Sequence, residues 1–384
     1  MNETPAIHPA LLPVGLRDLL PPEAELVAKS VETIMECFAA HGYQRVNTPL
    51  MEFEETLFAG AGLATADQTF RLMDPESQRM VGIRADITPQ IGRVASTRLA
   101  HAPRPLRLAY FGQCLRVRNA DLQTNRQIAQ AGIELIGHDT AEADAEIILT
   151  AAEALGALGL NSLSFDLTFP RLVLNLLADA GADCQAALTH ALDRKDRAAI
   201  AGIGGPGTQL LLQLLDACGP ADRAVPELLA IDLPDAAKAH AIRIAETVAA
   251  VKKSNPALIL TADLVEFRGY KYHTGICVTV FATGKQAELG RGGRYLCGLS
   301  EPATGISLYP DTIIRIAPET SLRPRLYLPY GSSPEIAALA RRQNFATVIG
   351  LDPDQTNHLA EAIRLGCSHY LQNNSFASVP KETQ

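Results

Sequence analysis

The spacing of apolar residues along the chain divides it into helical and extended stretches. Val27, Val31, Ile34, Met35 and Phe38 recur on one face of a helix over residues 23–40. Pro21 and Pro22 stand at its start, where a missing N–H costs little, and Gly42 follows its end. Strands are expected at 43–47, 79–83, 106–111 and 130–136. In the third, Leu106, Leu108 and Tyr110 alternate with Arg107, Ala109 and Phe111. Residues 141–158 form an Ala/Leu/Ile-rich helix. Residues 162–169 place Leu163, Phe165, Leu167 and Phe169 on one face of a strand.

From 171 to 254 Ala and Leu dominate and strand signals all but vanish, which predicts a helical insertion. Its glycine run, Gly202 to Gly207, lacks the Lys-Ser/Thr pair and the preceding strand of a phosphate loop. It is expected to join two helices. Strand character returns at 258–265 and 275–282. Another strand starts at Arg294, and a strand or helix is expected near 312–316. After a linker at 318–324, strands at 325–329, 346–351 and 369–371 alternate with helices at 334–342 and 355–365. That order predicts a small α/β domain with a parallel sheet. The polar tail from Gln372 is expected to be loose. The organisation expected is a mixed core over 1–317, interrupted by the helical insertion 171–254, and a small domain over 322–384.

Hydrophobic residues make up 47 % of the 384 positions and charged residues 20 %, an ordinary globular balance. No apolar run approaches the roughly 20 residues of a membrane span, and residues 1–10 lack the basic and apolar regions of a secretory signal. A cytoplasmic protein without membrane association is expected. The seven cysteines are odd in number and never spaced as C-x-x-C, which predicts reduced thiols with no disulfide framework and no metal site. The net charge of −8 weakens the case for a nucleic-acid partner, although a local basic patch would suffice for one.

Four short stretches carry candidate chemistry. In Arg84-Ala85-Asp86-Ile87-Thr88-Pro89-Gln90, Asp86 and Thr88 offer acceptors two residues apart, suited to an ammonium group or to capping a helix. The second holds Arg116, Arg118 and Arg126 on a strand–loop–strand, a possible anion site. In it, Gln130 and Glu134 lie four apart and so face the same side of a strand. A carboxylate and an amide on a buried face would mark a polar ligand. The third, Arg268 to Gly275, puts an arginine beside Tyr270, Tyr272 and His273. The fourth, Gly290-Arg291-Gly292-Gly293-Arg294-Tyr295, reads as a tight turn entering a strand.

In this order, these stretches resemble the signature segments of the histidyl-tRNA synthetases over about residues 10–317. The resemblance implies a class II synthetase-like antiparallel sheet flanked by helices, an α+β fold, with a dimer interface built by the 23–40 helix. It implies that Asp86, Thr88 and Gln130 hold the ammonium of histidine. Glu134 would accept an imidazole N–H, and Arg116 and Arg268 would face the carboxylate. Tyr272, His273 and Tyr295 would line the ring pocket. His273 stands where the synthetases have a tyrosine.

The departures bear on ATP. Arg118 replaces the glutamate that contacts adenine, Thr124 a loop arginine near the phosphates, and Thr312 the arginine that packs on adenine. The loss of several charged contacts predicts loss of amino-acid activation. Residues 322–384 are small for an anticodon-binding domain and carry no basic surplus for phosphates. The chain is more similar to a paralogous family, the regulatory subunits of ATP phosphoribosyltransferase. That resemblance implies a non-catalytic role in the first step of histidine biosynthesis, without cofactor. It also implies a hetero-octamer with a short-form catalytic subunit and feedback inhibition by L-histidine. A divergent histidyl-tRNA synthetase, or another ATP-dependent amino-acid ligase, is the alternative.

Overall fold

The computed structural model describes residues 11–118, 125–178, 180–205, 207–267, 272–285, 287–298, 300–318 and 322–380. The chain divides into two compact units, Met1–Pro318 and Glu319–Gln384.

The first unit opens with helix α1 (Glu23–Ala40), strands β1 (Gln44–Val46) and β2 (Met51–Phe53), and the short α2 (Glu54–Leu57). A 3-10 segment (Gly60–Gln68), β3 (Phe70–Met73), β4 (Met80–Ile83) and α3 (Thr88–Ser96) follow. Next come β5 (Leu106–Leu115), β6 (Gln127–Ile136), α4 (Ala141–Ala157) and β7 (Leu163–Thr168). The insertion consists of α5 (Pro170–Leu177), α6 (Ala182–Asp193), α7 (Arg197–Ile203), α8 (Thr208–Ala217), α9 (Ala221–Ala230) and α10 (Asp235–Ser254). A two-residue strand, β8 (Gly219–Pro220), lies between α8 and α9. The glycine run falls between α7 and α8, and Gly204, Gly205 and Gly207 all take positive φ there. The unit closes with β9 (Ile259–Asp263), β10 (His273–Ala282), β11 (Glu288–Cys297), β12 (Glu301–Leu308) and α11 (Pro310–Ile313).

Among the described residues, nine of these strands form one sheet in the order β1-β5-β6-β12-β11-β10-β7-β9-β8. Its centre, from β5 to β7, is antiparallel throughout. Strand alternation gives the sheet two distinct faces. On one, Ala131, Ile133 and Leu135 of β6 pack against Val31, Ile34 and Phe38 of α1 and Ile147, Ile148 and Ala151 of α4. On the other, Leu108 and Tyr110 of β5 and Tyr295 and Cys297 of β11 pack against Ile87, Ile91 and Ala95 at α3. The same alternation brings Gln130 and Glu134 of β6 to the α3 face.

The expected glycine turn at Gly290–Tyr295 is corrected by the structure: these residues lie inside the ten-residue strand β11. The next strand, β12, was not expected from the sequence. Its Gly305 pairs with Gly293, and a Cβ on Gly292 would come within 2.1 Å of the Gly305 carbonyl oxygen. The glycines serve close approach of two backbones, which local pattern reads as a turn. Arg294 points to the opposite face from Tyr295. Its guanidinium meets Asp144 in the first turn of α4 at 2.8 Å and also donates to the carbonyls of His138 and Thr140. Both side chains are almost fully buried, at 7 % and 1 % exposure, so the pair ties α4 to the sheet.

In the second unit, β13 (Arg325–Leu328), α12 (Pro334–Arg342), β14 (Ala346–Ile349), α13 (His358–Arg364), β15 (His369–Gln372) and β16 (Ser375–Ser378) make a four-stranded sheet ordered β14-β13-β15-β16. The first three strands are parallel, as the α/β alternation predicts. The tail is not loose at 375–378, because β16 folds back antiparallel on β15. Asn373 and Asn374 make the turn, with φ of 47° and 60°, as a tight hairpin turn demands. Among the described residues, no helix is long and apolar enough to cross a membrane.

Asp144 also meets Arg243 at 3.5 Å, and without Asp144 the buried Arg294 keeps, among the described residues, only the exposed Asp139 at 3.2 Å as an acidic partner. Asp144→Ala is expected to lower unfolding stability by about 3–5 kcal/mol, read from urea denaturation. A loss below about 1 kcal/mol would show that the pair does not anchor α4.

Candidate functional site

On the α3 face of the sheet, a cavity of about 390 Å³ is lined by Asp86, Thr88, Arg116, Gln130, Glu134, Tyr272, His273 and Tyr295. Its size falls in the usual range for small-molecule sites. Of the sequence candidates, Arg268 lies outside the described residues, as does Thr124. The structure adds residues that the sequence reading did not single out. Tyr309, Ser307 and Glu288 line the same space, beside Arg291 of the glycine-rich stretch, and Asp67 and Gln68 of the 3-10 segment close one side.

The floor is built by pairing bulky and absent side chains across strands. Glu134 stands opposite Gly305, and Tyr110 opposite Gly132. A Cβ on Gly305 would lie 1.9 Å from Glu134 Oε2, and one on Gly132 would lie 2.4 Å from the Tyr110 ring. Each glycine makes room for its neighbour to lean across the sheet.

Glu134 is only 1 % exposed. It accepts hydrogen bonds from Thr88 Oγ1 at 2.9 Å, Tyr295 OH at 2.9 Å and Tyr110 OH at 3.3 Å. Tyr110 OH also meets Ser307 Oγ at 2.7 Å, which extends the network to β12. Burial raises the Glu134 pKa to about 8, and the three hydroxyls pull against that rise. The carboxyl group therefore holds a proton at neutral pH and stands ready to release it to a better partner.

Asp86 accepts the backbone N–H of Thr88, two residues on, at 3.1 Å; the cap position of α3 is Ile87 and no side chain caps it, so Asp86 is not the helix cap that the sequence allowed. Gln130 Oε1 accepts from Ile87 N–H at 3.1 Å and from the Cys114 thiol at 3.1 Å. Both lone pairs of that oxygen are engaged, so Gln130 fixes the start of α3 beside Asp86. Arg116 donates from Nε to the Ala85 carbonyl at 3.2 Å. The other two arginines of the anion idea lie elsewhere. Arg118 is exposed, and Arg126 donates to the carbonyls of Arg116 and Val14 and covers the Phe70 ring.

Tyr272 stacks on His273 with centroids 4.4 Å apart and meets Tyr295 edge-on at 5.8 Å. Burial first, and the charge of Arg291 second, hold the His273 imidazole down at about 3, so this ring is neutral. The cavity thus joins an aromatic wall and a buried carboxyl to an acid, Asp86, and a base, Arg116. It can take a zwitterion whose side chain is flat and polar.

The family model for histidyl-tRNA synthetase matches residues 15–313. The ATP phosphoribosyltransferase regulatory subunit of Gluconobacter oxydans is 49 % identical over 369 residues, 96 % of each chain. That of Paramagnetospirillum magneticum is 49 % identical over 378 residues, 98 % of this chain and 100 % of its own. The chain belongs to the ATP phosphoribosyltransferase regulatory subunit family. Two solved structures share its fold. An ATP phosphoribosyltransferase regulatory subunit/histidyl-tRNA synthetase from Bacillus halodurans aligns with a TM-score of 0.80 at 22 % identity, covering 94 % of this chain and 97 % of that one. A histidyl-tRNA synthetase from Nostoc sp. PCC 7120 aligns with a TM-score of 0.77 at 18 % identity, covering 96 % and 92 %. The class II synthetase-like α+β fold expected from the sequence is borne out.

A carboxyl group whose pKa is raised on folding stabilises the folded state below the unfolded value of about 4.3. That contribution is lost as pH rises through the folded value near 8. Glu134→Gln keeps the shape and removes the proton. Its stability relative to wild type is expected to improve steadily from pH 5 to pH 8 in parallel urea melts. A difference that does not vary with pH would contradict the raised pKa.

Proposed function

We propose that this chain is the regulatory subunit of an ATP phosphoribosyltransferase and that its cavity senses L-histidine. The observation that carries the reading is the buried carboxyl of Glu134, held by three hydroxyls at the bottom of an aromatic-walled cavity. A buried carboxyl without a charged partner is costly, and an imidazole N–H is a fitting donor for it. Asp86 and Thr88 receive the ammonium, with Gln130 anchoring the turn that carries them. Arg116 faces the carboxylate, the role that the resemblance also implies for Arg268. Tyr272, His273 and Tyr295 enclose the ring.

The assembly proposed is a hetero-octamer with a short-form catalytic subunit, in the cytoplasm, with this chain pairing as a homodimer through α1. Names of the relatives support the partner. Histidine acts by linkage: it favours a less active state of the assembly, and a coupling of about 1–3 kcal/mol suffices. Reciprocity then requires substrates of the catalytic subunit to weaken histidine binding.

Amino-acid activation is proposed to be lost. Arg118 is exposed, and Thr312 is buried in α11, where its Oγ1 accepts from Arg315 at 3.2 Å. Neither residue type matches the glutamate and arginine that the resemblance places against adenine in the synthetases. The match to the synthetase family model keeps the enzymatic reading in view, and one assay separates the two. ATP–pyrophosphate exchange with histidine is expected to stay at background, and clear exchange would overturn the regulatory reading.

Calorimetric titration with L-histidine is expected to show one site per chain. Asp86→Ala and Glu134→Ala should each weaken it by about thirtyfold or more, through loss of a carboxyl partner of the ligand. Gly305→Ala, which drives a methyl into Glu134, should have a comparable effect. Wild-type affinity should strengthen from pH 6 to pH 8, as Glu134 loses its proton and the ligand imidazole turns neutral, and then level off. Unchanged binding in both Asp86→Ala and Glu134→Ala would remove the cavity from the reading.

A further inference from the structure

On the opposite side of the sheet from the cavity, Cys37, His41 and Glu153 bring one sulfur, one nitrogen and one oxygen donor within 4.8 Å of one another. We propose that these three side chains form a binding site for a divalent transition-metal ion of the zinc class. Cys37 and His41 are four residues apart at the end of α1, so they project from one face of the helix. Glu153 comes from α4, the helix packed against α1, and its Oε2 already meets His41 Nε2 at 2.9 Å.

The donor set suits the ion. Thiolate, imidazole and carboxylate are the ligands zinc prefers, at bond lengths of about 2.0–2.3 Å. Tetrahedral geometry at those lengths puts the donors about 3.3–3.8 Å apart. The donors furthest apart must therefore draw in by up to about 1 Å, while the His41–Glu153 pair, at 2.9 Å, must part slightly. His41 and Glu153 can do this, since their side chains are 33 % and 64 % exposed. Three protein ligands leave the fourth position to water. Burial and the Glu153 charge raise the Cys37 thiol to about 11. Without a metal the sulfur therefore keeps its proton. On binding, the metal–sulfur bond forms and the thiol proton passes to solvent. The ion would pin the last turn of α1 to α4, on the face away from the effector cavity.

The test is titration of the full chain with Co²⁺ as a coloured stand-in for zinc, in a non-thiol reductant. One equivalent is expected to give a thiolate-to-cobalt absorption band, which equimolar Zn²⁺ bleaches. Cys37→Ser should abolish the band, and His41→Ala or Glu153→Gln should weaken binding at least tenfold. Cys184→Ser, a half-exposed cysteine elsewhere, should leave it unchanged. Absence of a band in the wild-type protein would overturn the proposal, with no need for the variants to fold. So would a band that survives Cys37→Ser in a protein with wild-type circular dichroism.

Discussion

A carboxyl group with almost no access to water is the constraint around which this molecule is arranged. Glu134 sits on β6, next to the end strand β5 of the central antiparallel run, and the features near it answer demands it makes. Three hydroxyls satisfy its oxygens, and they come from α3, β5 and β11. A glycine opposite leaves it room. The tyrosine that supports it needs a glycine of its own, on the same strand as Glu134. An unsatisfied buried carboxyl would cost several kcal/mol, a large part of the stability of an ordinary domain.

The two faces of the sheet divide the work. One is filled by α1, α4 and the helical insertion, an apolar mass locked to the sheet by the buried Arg294–Asp144 pair. The other is left partly open, with α3 covering one end and the 3-10 segment closing the side. Gln130, Glu134, His273 and Tyr295 are held by strands, so their positions follow the register of the sheet. Asp86 and Thr88 are not, and the Gln130 amide fastens their turn to β6.

Much of this was legible in the sequence. Periodicity gave α1 and α12 their full extents, because both carry an uninterrupted apolar face with recognisable ends. The spacing of Gln130 and Glu134 placed them on one face, and that face is buried. Other features were hidden. Gly292 and Gly293 look locally like a turn, and only the partner strand β12 explains them. β12 itself, Glu301–Leu308, is interrupted by proline, glycine and small polar residues, which weaken any strand signal without a neighbour to pair with. The support that Tyr110 and Ser307 give to Glu134 depends on pairing across three strands, so no local window contains it. The hairpin to β16 did have a local signal, Asn373-Asn374, and the polarity of the tail outweighed it.

The seam between β11 and β12, where Gly293 faces Gly305, has an evolutionary consequence. The hollow above it exists because side chains are missing, and any side chain that arrives there meets backbone or the Glu134 carboxyl. Drift at these positions can abolish the cavity in one step, yet it cannot retune it. Selection for a different ligand has to act on the aromatic wall, where His273 stacks on Tyr272.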